Sequence, residues 1–364
     1  MPRQRSRPLT PALVLLASCI AVRANAASGC QTLPARSRAD IPALANAGLD
    51  FSRQQHYKEA ADCYRKALSI TAGIREIQLN LGLAEFKQGD FRAAIAPLTA
   101  ALSIDPGDLQ ARTLLGMSYY GDGMYAKAVA ELDRALAADP HNTQLHYVIA
   151  QSCLWSGQPE RALQEFEWLL KQQPDSAATH MLMGEALDSL GRDPDAIAEF
   201  QAAASASPAE PAVHFGLGYL LWKERRYDEA EREFRQELAN DPSHAQANAY
   251  LGDVLLHRDD PEAALPWLEK ARRLDAKIRI AHLDLGIAYA GRKEYEPAAR
   301  ELREAVRLDP SRADAHYRLA QVYQSLGRAT EAKAERAAVT NLHEKHNEDL
   351  LQQISGKPPR PDAP

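Results

Sequence analysis

Residues 177–210 read AATHMLMGEALDSLGRDPDAIAEFQAAASASPAE. Gly184 stands eighth in this stretch, Gly191 fifteenth, Ala196 twentieth and Phe200 twenty-fourth. The twentieth place recurs every 34 residues along the chain, at Ala60, Ala94, Ala128, Ala162, Ala196, Ala230, Ala264, Ala298 and Ala332. No insertion breaks the register. A fixed period of this length marks a stacked-repeat architecture in which one supersecondary unit is copied.

Frames therefore start at residues 41, 75, 109, 143, 177, 211, 245, 279 and 313. The eighth place is Gly48, Gly82, Gly116, Ala150, Gly184, Gly218, Gly252, Gly286 and Ala320. The twenty-fourth is Tyr64, Leu98, Leu132, Phe166, Phe200, Phe234, Leu268 and Leu302, with Arg336 the exception. Apolar places 7, 8 and 11, then 20, 24 and 27, fall at helical intervals, so each frame holds two amphipathic helices. Small residues at 8 and 20 allow a close crossing, and large ones at 7, 11 and 24 fill the space around it. Gly89, Gly123, Gly157, Gly191 and Gly327 at place 15 suit a helix end that needs positive φ. Asp105-Pro106, Asp139-Pro140, Asp241-Pro242 and Asp309-Pro310 stop the second helix.

This pattern resembles the tetratricopeptide repeat family over residues 41–340. Leu-Gly at 7–8, Ala at 20, a large residue at 24 and Pro at 32 carry the likeness. The family's Trp at place 4 is absent throughout, and Ala72 and Ala276 replace the closing proline in two frames. The resemblance implies an all-α, right-handed α-solenoid of about nine 34-residue helix–turn–helix repeats. It says little about function, because one fold serves many partners.

The ends differ in kind. Residues 1–26 start with Arg3, Arg5 and Arg7, continue with an apolar run from Leu9 to Val22, and finish in Ala24-Asn25-Ala26. That is the pattern of a secretory signal peptide, which predicts a periplasmic or secreted protein. Leu16-Ala17-Ser18-Cys19 resembles a lipobox, so lipidation at Cys19 and anchoring to an outer membrane is the alternative. Against it, Ile20-Ala21-Val22 carries the apolar run past the cysteine. Residues 27–40 read as a polar linker. No Gly or Pro interrupts Ala329 to Ser355, which predicts that residues 341–355 extend the last helix as a cap. The proline-rich residues 356–364 read as a disordered tail.

A net charge of −6 argues against nucleic acid as a partner. Four cysteines are too few for a disulfide framework. Cys153 reads as a small core residue. Cys30 and Cys63 either pair in an oxidising compartment or stay as thiols.

His146, His180, His214, His282 and His316 all stand at place 4. Helix spacing of roughly 8–10 Å keeps them from sharing one ion, so they read as amphipathic packers where the family has Trp. His343-Glu344-Lys345-His346 lacks the i, i+4 spacing of the helical zinc motif. No catalytic residue, metal site or cofactor loop is expected, and no small-molecule substrate. The resemblance implies that first-helix places 2, 5, 9, 12 and 13 face a concave groove. There the chain has Phe86, Tyr120, Tyr147, Trp155, Met181, Phe215, Tyr219, Trp222 and Tyr317, interrupted by Glu185, Asp188 and Asp253. The core places are already filled, so this stripe is surplus to folding and predicts a peptide- or protein-binding surface. A clamp for a terminal carboxylate is not expected: Ala45 and Leu49 stand where it would need polar groups, and only Asn80 survives. The expected function is a non-catalytic scaffold in envelope, secretion or pilus assembly. The alternatives are a lipid-anchored assembly factor and a non-catalytic partner of an envelope glycosyltransferase.

Overall fold

The computed structural model describes Cys30 and residues 32–355. The expected signal peptide, Cys19 and the tail 356–364 lie outside the described residues. The chain divides into two compact units, residues up to Asp122 and residues from Gly123. Among the described residues every regular element is helical.

The first unit contains α1 (Ile41–Arg53), α2 (Tyr57–Leu68), α3 (Arg75–Lys87), α4 (Phe91–Ile104) and α5 (Leu109–Gly121). The second begins with α6 (Tyr125–Leu136), α7 (Thr143–Trp155), α8 (Pro159–Gln172), α9 (Ala177–Ser189) and α10 (Asp193–Ala206). It continues with α11 (Val213–Lys223), α12 (Tyr227–Asn240), α13 (Ala245–His257) and α14 (Pro261–Leu274). Then come α15 (Arg279–Gly291), α16 (Tyr295–Leu308), α17 (Ala313–Ser325) and α18 (Ala329–Ser355). Consecutive helices pack in pairs within each unit, as an α-solenoid requires.

The alanine period marks the tightest crossing. Ala60, Ala94, Ala128, Ala162, Ala196, Ala230, Ala264 and Ala298 are 0% exposed, and Ala332 3%. The contact that demands glycine at place 8 is with place 24. A Cβ on Gly184 would lie 2.7 Å from the Phe200 ring, and one on Gly218 would lie 2.8 Å from the Phe234 ring. Each first helix thus offers a flat spot to one large side chain of its own second helix. At the C-terminal end that side chain is Arg336, which is exposed.

Place 15 has positive φ in every frame. The five glycines lie at φ 70–80°, and Gln55, Arg225, Asp259 and Lys293 lie at 56–62°. The turn dictates this conformation. Three residues beyond the first helix, an N–H reaches back to a carbonyl of its last turn, as from Gln158 to Cys153 (2.8 Å) and Glu294 to Tyr289 (2.9 Å). That six-to-one bond closes a Schellman-type stop, which needs a left-handed residue in the middle. Asp105, Asp241 and Asp309, each before its proline, are extended C-caps.

The place-4 histidines are packers with a partner the sequence reading missed. Each ring Nδ1 lies 2.5–2.7 Å from a glutamate 19 residues on: Glu165, Glu199, Glu233, Glu301 or Glu335. Each Nε2 lies 2.8–3.2 Å from a carbonyl of the preceding turn. The ring therefore ties both helices of its repeat to the connection before it. His146 also stacks on Trp168 with centroids 3.7 Å apart. Among the described residues no cluster could hold a metal ion.

Two expectations about the ends change. The stretch read as a polar linker is docked: Cys30 is buried with Cys63, Leu33 and Ala35 pack on the same cluster, and Lys66 donates to the carbonyls of Cys30 (3.0 Å) and Leu33 (2.5 Å). The Cys30 and Cys63 thiols are in hydrogen-bond contact and free. Residues 341–355 continue α18, yet residues 343–351 are exposed. The last repeat is covered instead by Ala332, with Ala338, Val339 and Leu342 half-buried behind it. Leu350 and Leu351 meet nothing that would bury them. No described helix is long and apolar enough to cross a membrane.

Candidate partner-binding surface

In the second unit successive first helices touch one another: α9 with α11, α11 with α13, α13 with α15 and α15 with α17. The second helices make no comparable contact with their counterparts. Helices that crowd on one side and spread on the other bend the stack. The first-helix face is therefore the inside of the curve.

Phe215, Tyr219 and Trp222 on α11 meet on this face, together with Tyr250 on α13. Tyr219 and Trp222 stack at 5.9 Å, and Tyr250 stands edge-on to both, at 5.5 and 4.9 Å. Phe215 lies 6.0 Å from Tyr250 and 4.6 Å from the His244 ring. All four aromatic side chains are half-buried, so each keeps surface for a partner. Phe234 closes the cluster from behind.

Local chemistry fixes the cluster. α11 starts two residues late, because Pro211 occupies the frame's first place and Ala212 takes φ 64°. The carboxylate of Glu237, 2% exposed, accepts from the N–H groups of Ala212 (3.2 Å) and Phe215 (3.1 Å). A buried anion at a helix N-terminus is favourable, and here it anchors the turn that carries Phe215. At the other end of α11 the Trp222 indole N–H donates to Asp253.

The other expected residues go elsewhere. Phe86 packs edge-on against Phe91 (5.3 Å), and Trp155 lies tilted against Tyr125 (5.1 Å). Both rings lean on the start of a second helix, so part of each serves packing inside the fold. Met181 packs against Ala177, Ala203 and Val213. Tyr147 accepts a hydrogen bond from Gln151 (3.2 Å). Tyr120 is half-buried in the first unit. Tyr317 is 52% exposed and stands apart from the aromatic cluster.

Tyr250 and Asp284 were missed because both occupy place 6. The clue was Asn80, the one place-6 residue weighed for the carboxylate clamp. Reading that place along all frames would have found them.

The surface is acidic where it is not aromatic. Burial raises the Glu185 carboxyl to about 7, with Asp188 adding to it. Solvent still reaches this side chain, which sits open but crowded in the hollow. Burial also raises Tyr147, with Glu210 and Glu185 contributing. Asp253 and Asp284 touch each other, 6% and 2% exposed. Burial raises both; the Trp222 hydrogen bond and His257 hold Asp253 down in part, and Asp253 pushes Asp284 further up.

Tetratricopeptide repeat models match residues 46–108, 85–152, 119–186, 154–217 and 215–277, and a TPR repeat model matches 288–327. The chain belongs to the tetratricopeptide repeat family. A tetratricopeptide repeat protein from Parabacteroides merdae ATCC 43184 is similar in structure, with TM-score 0.53 and 19% identity over 68% of this chain and 98% of that one. A chain of the APC/C hetero-tetramer Cut9–Hcn1 is similar too, with TM-score 0.53 and 16% identity over 86% of this chain and 76% of that one. No curated protein matches. At these identities the structural likeness speaks for the fold alone. The family is generally a non-catalytic protein-interaction fold, and tetratricopeptide repeats bind peptides or proteins.

Proposed function

We propose that this chain is a non-catalytic scaffold that holds a peptide or protein partner on the first-helix face of its second unit. The observation that carries the reading is the four-ring cluster of Phe215, Tyr219, Trp222 and Tyr250. Its rings are half-buried, held by Glu237 and Asp253, and not needed by the Gly–aromatic seam that folds the repeats. Rigid aromatic anchors in a partly desolvated hollow are the usual centre of an interface. The scaffold works outside the cytoplasm, in envelope, secretion or pilus assembly; the pattern of residues 1–26 supports export, with lipidation at Cys19 the alternative route. It uses no cofactor, metal or nucleic acid.

Photo-crosslinking tests the reading. A benzoylphenylalanine in place of Tyr219 should capture one defined partner in the cell, and the same group in place of Glu167, exposed on α8, should not. Equal capture from both positions overturns it.

A further inference from the structure

Glu185, Tyr219 and Asp253 occupy the same place, the ninth, in three successive frames. They form a row across α9, α11 and α13 in the order acid, aromatic, acid. Steps between neighbouring first helices are roughly 8–10 Å.

The acids of this row lack cations of their own. Lys223 is held by Asp188 (2.8 Å) and Asp193 (2.7 Å). Arg279 makes a two-pronged pair with Asp314 (2.8 and 2.9 Å). Among the described residues Glu185 has no ion pair, and the basic group nearest Asp253 is His257, at 3.5 Å. Behind Asp253 stands Asp284, 98% buried, with Oδ2 lacking any hydrogen-bond partner. Buried carboxylates without a cation are unfavourable, and such groups hold a proton instead. A partner that brings positive charge can replace that proton.

We propose that the face takes an extended segment bearing two Lys or Arg side chains on either side of an apolar one, the cations meeting Glu185 and Asp253 and the apolar residue meeting Tyr219. This rests on the scaffold reading above. Polyproline-type chain repeats every three residues and about 9 Å, so residues i, i+3 and i+6 fall opposite the row. The stems of the basic residues lie along the rings of Trp222 and Tyr250, where cation–π attraction adds to the ion pairs.

Proton linkage gives the proposal a signature. Glu185 faces Asp188 on its own helix and Tyr147 on α7, and Asp188 in turn holds Lys223 of α11. Asp253 faces Trp222 on α11, His257 on its own helix and Asp284 on α15, with Arg279 and Asp314 beyond. Removing the protons frees the carboxylates for the cation. Affinity should therefore rise with pH through about 7, the value to which Glu185 is raised.

The test uses the full chain and a fluorescein-labelled peptide with arginine, leucine and arginine at i, i+3 and i+6, separated by Gly-Pro pairs. Citrulline replaces both arginines in a neutral counterpart. Anisotropy titrations should show the citrulline peptide, Glu185→Gln and Asp253→Asn each weakening binding about tenfold. Asparagine can still accept the Trp222 hydrogen bond, so that variant keeps the fold. Glu167→Gln, with the same charge change on α8, should bind as the parent does. The rise of affinity with pH should flatten in Glu185→Gln. Equal binding of the arginine and citrulline peptides overturns the proposal, as does an equal loss from Glu167→Gln. Should the two peptides bind alike while Tyr219→Ala weakens both, the scaffold reading stands and the basic partner falls.

Discussion

Two faces of the same first helix obey opposite rules. The face turned to its second helix repeats almost without change, with glycine or alanine at place 8 under one large side chain at place 24. The face turned to the hollow changes residue from frame to frame. At place 9 alone it runs from Glu185 to Tyr219 to Asp253. Invariance marks where every repeat solves one packing problem. Variation marks the face that the packing between helices leaves free, where the proposed partner would meet different repeats with different demands.

The largest predicted effect tests the invariant face. Phe234 is fully buried and its ring lies on Gly218. Phe234→Ala should remove about 3–5 kcal/mol, as large-to-small changes in dense cores do. Tyr317→Ala, on the free face at 52% exposure, should stay within about 0.5 kcal/mol. Urea unfolding followed by circular dichroism measures both. In a stack that depends on nearest neighbours, the Phe234 loss should split the transition into two steps. A single unshifted transition would mean that the seam does not hold the fold.

The next prediction concerns the seam's rim, where His282 bridges Glu301 and the Ala276 carbonyl. Burial lowers the His282 pKa, but the Glu301 hydrogen bond and carbonyl outweigh it, so the net shift is upward from 6.5. Burial raises Glu301, but His282 and Arg272 outweigh it, so the net shift is downward from 4.5. A raised histidine stabilises fully below its unfolded value and loses that contribution as pH climbs through the folded one. A lowered glutamate stabilises above its unfolded value and loses that contribution as pH falls through the folded one. The pair therefore contributes most between pH 4.5 and 6.5. His282→Asn copies the seventh frame, where Asn248 donates to the His244 carbonyl (2.8 Å). It should cost about 1 kcal/mol at pH 5.5 and less at pH 8.5. Urea midpoints of parent and variant across pH measure the difference. A pH-independent gap would leave the histidine a mere space-filler.

How far the sequence revealed each face follows from the same contrast. The seam was legible because it repeats: Ala196, Gly184 and Phe200 each have counterparts 34 residues away, so one frame explains the others. The His–Glu bridge was legible in principle. Histidine at place 4 is always accompanied by glutamate at place 23, whereas Gln78 and Asn248 stand opposite Pro97 and Trp267. It was missed because the histidines were compared with one another and not with their own second helix. The free face was legible only in outline. Phe215, Tyr219 and Trp222 share one helix, so helical spacing shows them together. Tyr250, Asp284 and the cap from Glu237 come from other helices, and no period ties them to α11. That Phe86 leans on the following helix and Trp155 on the preceding one depends on Phe91 and Tyr125, each on another helix.

The smallest predicted effect lies where the two faces meet, at the turn. Place 15 has positive φ whether or not it is glycine, so the turn imposes the conformation and the residue bears the strain. Lys293, at φ 61°, has a Cβ that this region disfavours by roughly 1–2 kcal/mol. Lys293→Gly relieves that strain, while the more flexible unfolded chain takes back part of the gain. The net should be a stabilisation of about 0.5 kcal/mol. Asp259→Gly, at φ 56°, should gain less, because aspartate tolerates the left-handed region better than lysine does. The reverse change, Gly191→Lys, should destabilise by about 1 kcal/mol at φ 70°. Thermal midpoints of the three variants order the effects. If Lys293→Gly proved destabilising, the lysine side chain would be contributing contacts that outweigh its backbone strain, and place 15 would belong with the variable face.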